Sequence, residues 1–138
     1  MTDKSQTTRP IYRIQDKDGR GPYKPGFSKH WCNVEARCLI GAPLFVPYMV
    51  EFPDVQNKMN DLFKEQGGHF GCGFRTMQQL HRWFIHEEIQ KLLGYDYRVV
   101  IIIPDMVLAE SENQLVFWCK KPLNKSIQLD GKGVYSHD

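Results

Sequence analysis

Apolar residues recur at helical spacing in two segments of the chain. The first segment covers about residues 54–64, and Asp54 is placed to cap its N-terminus. The second begins after Thr76 and runs to about Leu93, where Gly94 is placed to end it. The apolar positions that define these helices are Val55, Met59, Leu62 and Phe63 in the first, and Met77, Leu80, Phe84, Ile89, Leu92 and Leu93 in the second. The pattern therefore predicts two main helices.

Shorter segments of the chain have the composition or the alternation of β-strands. Residues 97–103 include five consecutive apolar side chains, as expected of a central strand buried on both faces, and residues 105–109 are predicted to extend it. A glycine-rich strand over 67–74 feeds directly into the second helix. Further strands are predicted at 11–14 and 114–119, and an edge strand near 126–129. The predicted fold class is α+β, with a mixed or antiparallel sheet of about five strands and two main helices packed on it.

Glycine, proline and polar residues divide the rest of the chain. Residues 16–26 contain too much of all three for a regular element and are predicted to form a loop. Residues 27–38 are ambiguous, and a loop followed by a short apolar strand or turn is predicted over 45–50. We expect a disordered leader over 1–10, a single domain over 11–129 and a flexible tail over 130–138.

Composition narrows the class of protein without naming a function. The chain has 138 residues, enough for one domain, and its formal net charge is only +2. Neither a membrane span nor a secretory signal is present in the pattern, which predicts a cytoplasmic protein with no membrane partner. A nucleic-acid partner is disfavoured because no basic cluster stands out. The four cysteines match no zinc-ligand spacing, so we expect free thiols and no bound metal.

Two features suggest a site for a nucleotide. The segment Gly19-Arg20-Gly21 could present backbone N–H groups and a guanidinium to a phosphate, because glycine permits close approach and arginine matches phosphate geometry. The aromatic content is 12%, and three tryptophans offer surfaces on which a base could stack. Core packing is the competing interpretation for these aromatic residues, and a tight turn is the competing interpretation for the glycines.

Three segments carry a resemblance to known proteins. Ile-Tyr-Arg-Ile at 11–14, Gly-Arg-Gly-Pro-Tyr at 19–23 and the run from His69 to Phe84 resemble small proteins of phages and prophages. The order of features also resembles the ADP-ribosyltransferase fold. In that order, a first strand carries Tyr-Arg, a later Gly-His-Phe-Gly strand runs into a helix, and a glutamate or glutamine lies near a late strand. A phage origin implies the cytoplasm of the host cell as the location.

The second resemblance implies NAD as a cofactor and assigns roles to particular residues. It implies that Arg13 contacts the phosphates or the ribose, with Tyr12 and Arg20 beside it, and that residues 74–76 line the nicotinamide side through Phe74 and Thr76. It also implies that Glu112 or Gln114 polarises a ribose hydroxyl. A fixed carboxylate would favour the positive charge that develops on the ribose when the nicotinamide bond breaks.

A glutamine cannot supply that negative charge. With Gln114 rather than Glu112 at the site, the resemblance implies a nucleotide binder without transferase activity. The sequence also departs from the family where Arg75-Thr76 replace the usual serine.

A function from another class competes with this one. A small non-enzymatic phage protein could bind and inhibit a host protein, for example a component of a defence system. Convergence of Arg13, Thr76 and Glu112 in one cleft would favour the enzyme, whereas an aromatic patch without a polar cleft would favour the protein binder.

Overall fold

The computed structural model describes residues 9–23, 26–40, 46–125 and 127–128. Six antiparallel strands in these ranges form two three-stranded sheets. Their bounds are β1 Ile11–Gln15, β2 His69–Gly73, β3 Arg98–Ile102, β4 Met106–Glu110, β5 Leu115–Cys119 and β6 Ile127–Gln128. The strand order is β1-β3-β6 in the first sheet and β2-β5-β4 in the second. A single bridge between Tyr12 and Phe74 joins β1 to the end of β2. The α+β fold class is confirmed.

Most of the predicted strands are confirmed, and β3 lies in the centre of its sheet as predicted. The prediction that residues 105–109 extend this strand is wrong, because they form β4 in the other sheet. Pro104 has no N–H group to continue the ladder, and the next residue, Asp105, already donates its backbone N–H to Trp118 of β5. The chain therefore changes sheets at Pro104.

Five α-helices accompany the strands in the described part of the chain. They are α1 Val34–Leu39, α2 Tyr48–Glu51, α3 Val55–Gln66, α4 Met77–Trp83 and α5 His86–Gly94, and a 3-10 turn covers Ser28–His30. The first predicted helix is confirmed as α3, although Asp54 makes no side-chain capping bond. Where a strand or turn was expected near 45–50, residues from Tyr48 onward form the single helical turn α2. Residues 1–8 of the predicted leader and the predicted tail over 130–138 lie outside the described residues.

The prediction of one continuous helix from Thr76 to Leu93 is wrong, because this segment forms two helices, α4 and α5. Phe84 and Ile85 are extended between α4 and α5. Side chains replace the backbone bonds that a continuous helix would make here. The Arg37 guanidinium donates to the carbonyl of Trp83, and the Glu88 carboxylate accepts from the N–H of Ile85 at 3.1 Å. The break thus depends on residues of α1 and α5 that hydrophobic periodicity does not reveal.

Arg37 and Glu88 form a buried ion pair of 2.9 Å at this break. Glu88 is fully buried, and its carboxylate also accepts from the backbone N–H of Asn33 at 3.0 Å. The pair joins α1 to the junction of α4 and α5. Because each charge is compensated by the other and by backbone groups, the pair can remain in the interior.

Two apolar clusters lie on opposite faces of the first sheet. One cluster fills the space between the two sheets, and its buried residues are Ile11, Val100, Ile102, Leu115, Phe117, Cys119 and Leu123. The other packs the helices on the first sheet and contains Ile14, Trp31, Phe74, Leu80, Trp83, Phe84, Ile89, Leu92 and Tyr97. The order of layers is therefore α4 and α5, first sheet, second sheet, and α3 contacts β4 of the second sheet. The β1–β2 bridge joins the two sheets.

Candidate functional site

A cavity of about 450 Å³ opens beside the bridge between β1 and β2. Its walls come from β1, β2, the loop over 19–23, helix α2, the α4–α5 junction and the residue before β5. The lining residues are Arg13, Ile14, Gly19, Arg20, Gly21, Pro22, Tyr23, Tyr48, Phe70, Gly71, Cys72, Phe74, Trp83, Phe84 and Gln114. Within the described chain, this lining includes two arginines and neither an aspartate nor a glutamate. The charge of the cavity wall formed by these residues is therefore positive.

Arg13 is the buried cation of this cavity, with only 7% of its surface exposed. Side chains alternate along β1, which places Arg13 on the face opposite Tyr12. Its guanidinium donates from Nε to Gln15 Oε1 at 2.8 Å, from Nη1 to the carbonyl of Cys72 at 2.8 Å and from Nη2 to the carbonyl of Gly19 at 3.0 Å. All three acceptors are neutral.

The buried charge of Arg13 has no carboxylate within ion-pair distance among the described residues. The three bonds use three of the five guanidinium N–H groups, and the other two have no partner in the part of the chain that the structure describes. Burial lowers the pKa of Arg13, with Cys72 and Asp16 opposing that effect. Arginine nevertheless keeps its proton in proteins. An anion in the cavity would therefore meet a fixed positive charge that has no ion-pair partner among the described residues.

Two glycines leave room for this guanidinium. A Cβ on Gly71 would lie 3.0 Å from Nη1 of Arg13 and 2.9 Å from the Phe117 ring. The centroid of that ring lies 5.8 Å from Cζ of Arg13. A Cβ on Gly21 would lie 3.5 Å from Nη2. The guanidinium is thus held between backbone segments of β2 and the 19–23 loop, which fixes its position.

Aromatic side chains form much of the remaining wall, namely Tyr23, Tyr48, Phe70, Phe74, Trp83 and Phe84. The Trp83 indole donates to the hydroxyl of Tyr23 at 2.6 Å, and the Tyr23 ring stacks on Phe84 with 6.1 Å between centroids. These contacts fix the rings before any ligand arrives. A cavity that combines a buried guanidinium with rigid aromatic faces suits a ligand that has both an anionic group and a flat ring.

Gln114 faces this cavity from the position just before β5 and is 5% exposed. Its amide Nε2 donates to the carbonyl of Val46 and to Glu51 Oε1, both at 2.8 Å. The Glu51 carboxylate also accepts from the Ser111 hydroxyl and from Asn113 Nδ2. Burial raises the pKa of Glu51, but these hydrogen bonds lower it by more, so its pKa lies below the usual value.

The other residues predicted for the site are distributed unevenly. Arg20 lies at the rim, with a largely exposed side chain 3.5 Å from Asp18, and Phe74 is a buried part of the wall. Tyr12 packs against the helix-side cluster and pairs with Phe74 through its backbone. Neither Tyr12 nor Thr76 lines the cavity, and Thr76 instead caps α4.

Glu112 also lies outside the cavity lining. It is exposed in the β4–β5 turn, where its backbone carbonyl accepts from Gln79 and Arg82. The structure therefore brings Arg13, Arg20, Phe74 and Gln114 to one cavity and leaves Tyr12, Thr76 and Glu112 outside it.

Sequence reasoning did not assign Tyr48, Phe70 and Cys72 to the site. For Phe70 and Cys72 a signal existed, because the alternation in the glycine-rich strand places both with Phe74 on one side. No local signal marks Tyr48, which reaches the cavity from a helix of one turn.

The thiol of Cys72 is expected to be unreactive at pH 8. Burial raises its pKa to about 11, with Arg13 opposing that effect. Cys38 is exposed. Because alkylation requires the thiolate, iodoacetamide should label Cys38 at least about tenfold faster than Cys72. Mass spectrometry of the labelled peptides over time measures both rates, and equal rates would contradict the raised pKa of Cys72.

The described residues form neither a metal site nor a membrane-spanning helix. Across the described ranges, no three His, Cys, Asp or Glu residues are placed to hold a metal ion together. Helices of the described chain are too short or too polar for any of them to cross a membrane.

A comparison with known protein families gives a match over most of the chain. The family model described as "Bacteriophage T4 Y00F protein" matches residues 1–129. No curated protein and no solved structure matches the chain.

Proposed function

The chain belongs to the Bacteriophage T4 Y00F protein family, and from that premise we propose that this phage protein binds NAD or ADP-ribose in the cavity around Arg13. The observation that carries the proposal is the buried guanidinium of Arg13, which has only neutral acceptors among the described residues. A diphosphate would supply the missing negative charge. Arginine matches the geometry of phosphate oxygens through paired N–H groups.

The size and the walls of the cavity support a ligand larger than an inorganic anion. A volume of about 450 Å³ lies in the range of small-molecule sites. Tyr48 and Phe70, which are only partly buried, provide ring faces for an adenine or nicotinamide group, since stacking on aromatic side chains is tolerant of the base involved. Arg20 at the rim, which lies 3.5 Å from Asp18, places a second guanidinium near the diphosphate.

We propose binding rather than transfer of ADP-ribose. Breaking the bond between nicotinamide and ribose needs negative charge beside the developing cation. Gln114 is neutral, and Glu112 lies outside the cavity lining. The protein would therefore hold the nucleotide without releasing nicotinamide from NAD.

The proposal is tested by calorimetric titration of the full chain with ADP-ribose and with NAD. We expect saturable binding of both and a rise in the melting temperature, because a ligand that binds only the folded state stabilises it. Tyr48→Ala should weaken binding about tenfold through loss of a stacking surface. Phe63→Ala is the matched control, since Phe63 is an exposed aromatic residue on α3 outside this cavity.

A negative titration would favour the second candidate function, which is inhibition of a host protein by direct binding. The observation behind it is a set of exposed apolar side chains. Val34 and Leu39 lie on α1, Ile40 follows its last residue, and Met49 and Val50 lie on α2. Leu39 is 82% exposed. Such side chains on a small protein suit a protein partner. Absence of binding at millimolar ADP-ribose and NAD would overturn the nucleotide proposal.

A further inference from the structure

The amide of Gln114 is held in one orientation by groups that can only accept hydrogen bonds. Its two nearest partners are the carbonyl of Val46 and the carboxylate of Glu51, each 2.8 Å from Nε2. An amide nitrogen has two hydrogens, and both are used by these bonds. The opposite orientation would bring the amide oxygen against two acceptors, so chemistry alone decides which atom is nitrogen.

We propose that Glu51 is a positioning residue that makes Gln114 a hydrogen-bond acceptor, and only an acceptor, toward the ligand of the cavity. The inference rests on the proposed nucleotide binding and adds a selection rule to it. With both N–H groups used, Oε1 is the polar atom of this side chain that remains for a ligand. The cavity then selects ligands that combine an anionic group for Arg13 with an O–H or N–H donor for Gln114.

The Glu51 carboxylate is itself held in place by two donors other than Gln114. Its Oε2 accepts from the Ser111 hydroxyl at 2.5 Å and from Asn113 Nδ2 at 3.2 Å. Both donors belong to the β4–β5 turn, which continues into Gln114. Among the described residues no cation pairs with this carboxylate. Its hydrogen-bonding capacity therefore serves to orient the turn and Gln114.

The two acceptor oxygens of Glu51 are required for this arrangement. An amide in its place would have one acceptor atom and one donor atom, whereas its neighbours Ser111, Asn113 and Gln114 all donate. After the substitution Glu51→Gln, the side chain could not accept from both sides, and one of the donors would lose its partner. Where that donor is Gln114, the Val46 carbonyl alone would hold its amide, and the restriction to one orientation would weaken.

A double-mutant cycle with ADP-ribose as the probe tests the inference. Glu51→Gln is expected to weaken binding about tenfold in the wild-type background. The same substitution should change affinity less than about twofold in a Gln114→Ala background, because a positioning residue has no effect once the group it positions is gone. Glu65→Gln, which changes an exposed carboxylate on α3, is the matched control and should leave the affinity unchanged.

The outcomes separate the inference from the proposed function. Equal losses for Glu51→Gln in both backgrounds would indicate a merely structural role and overturn the inference, as would no loss in the wild-type background. Absence of ADP-ribose binding by the wild-type chain would instead overturn the proposed function. Thermal unfolding checks that each variant is folded. If Glu51→Gln fails to fold, Ser111→Ala removes one of the bonds that fix Glu51 and should show the same dependence on Gln114.

Discussion

Substitution of Arg13 by glutamine is expected to lower the affinity for ADP-ribose at least about 100-fold. The diphosphate would lose a buried, fully ionised partner that cannot be replaced by water, and removal of one member of a buried charge pair costs about 2–5 kcal/mol. Glutamine keeps hydrogen-bonding capacity at this position but supplies no charge. Calorimetry of the folded variant gives the affinity directly.

Arg20→Gln is the matched control for this prediction. Arg20 lies at the same cavity but is largely exposed, so solvent screens its charge and the expected loss is less than about fivefold. Similar losses for the two variants would mean that the ligand does not contact the buried guanidinium. Arg13→Lys should restore only part of the affinity, because an ammonium group cannot reproduce the paired N–H geometry.

Substitution of Glu88 by alanine is expected to lower the free energy of unfolding by about 3–5 kcal/mol, the usual cost of breaking a buried ion pair by removal of one partner. Arg37 would lose its carboxylate while remaining in the interior, and the N–H groups of Asn33 and Ile85 would lose an acceptor. Urea unfolding followed by circular dichroism measures the change.

Glu87→Ala provides the comparison at the neighbouring position. Glu87 is exposed, and its two contacts, 3.7 Å with Lys91 and a 2.7 Å hydrogen bond from the Asn33 amide, lie at the surface, so a change of about 1 kcal/mol is expected. The double variant Arg37→Met with Glu88→Met should recover part of the stability, because no unpaired charge stays buried. An effect of Glu88→Ala no larger than that of Glu87→Ala would contradict the role of the pair at the break between α4 and α5.

The sequence predicts those elements whose signal is local. Alternation and β-branched residues locate β1, β3 and β5, and the 3.6-residue period locates α3. The break at Phe84 escapes prediction because the apolar period continues through it. What divides the helix is a contact between Arg37 and the Trp83 carbonyl, 46 residues apart in the chain.

The candidate site likewise contains residues that the sequence predicted and a residue that it did not. Arg13 and Gln114 were proposed from the order of strands, and both line the cavity. Glu51 was not proposed, because it follows proline-rich sequence and carries no motif. Its significance comes only from its contact with Gln114, 63 residues away. A choice between Glu112 and Gln114 likewise required knowledge of which residues the β4–β5 turn leaves at the cavity.

The indole of Trp83, which lies at the cavity and donates to Tyr23, is an intrinsic fluorescent reporter of this site. All three tryptophans are buried, and of the three only Trp83 is among the residues that line the cavity in the described chain. The polarity around an indole governs the wavelength of its emission. A ligand that enters the cavity would change the surroundings of Trp83 directly, whereas the other two indoles lie outside the lining. Occupancy of the cavity could thus be followed by fluorescence in the unlabelled protein.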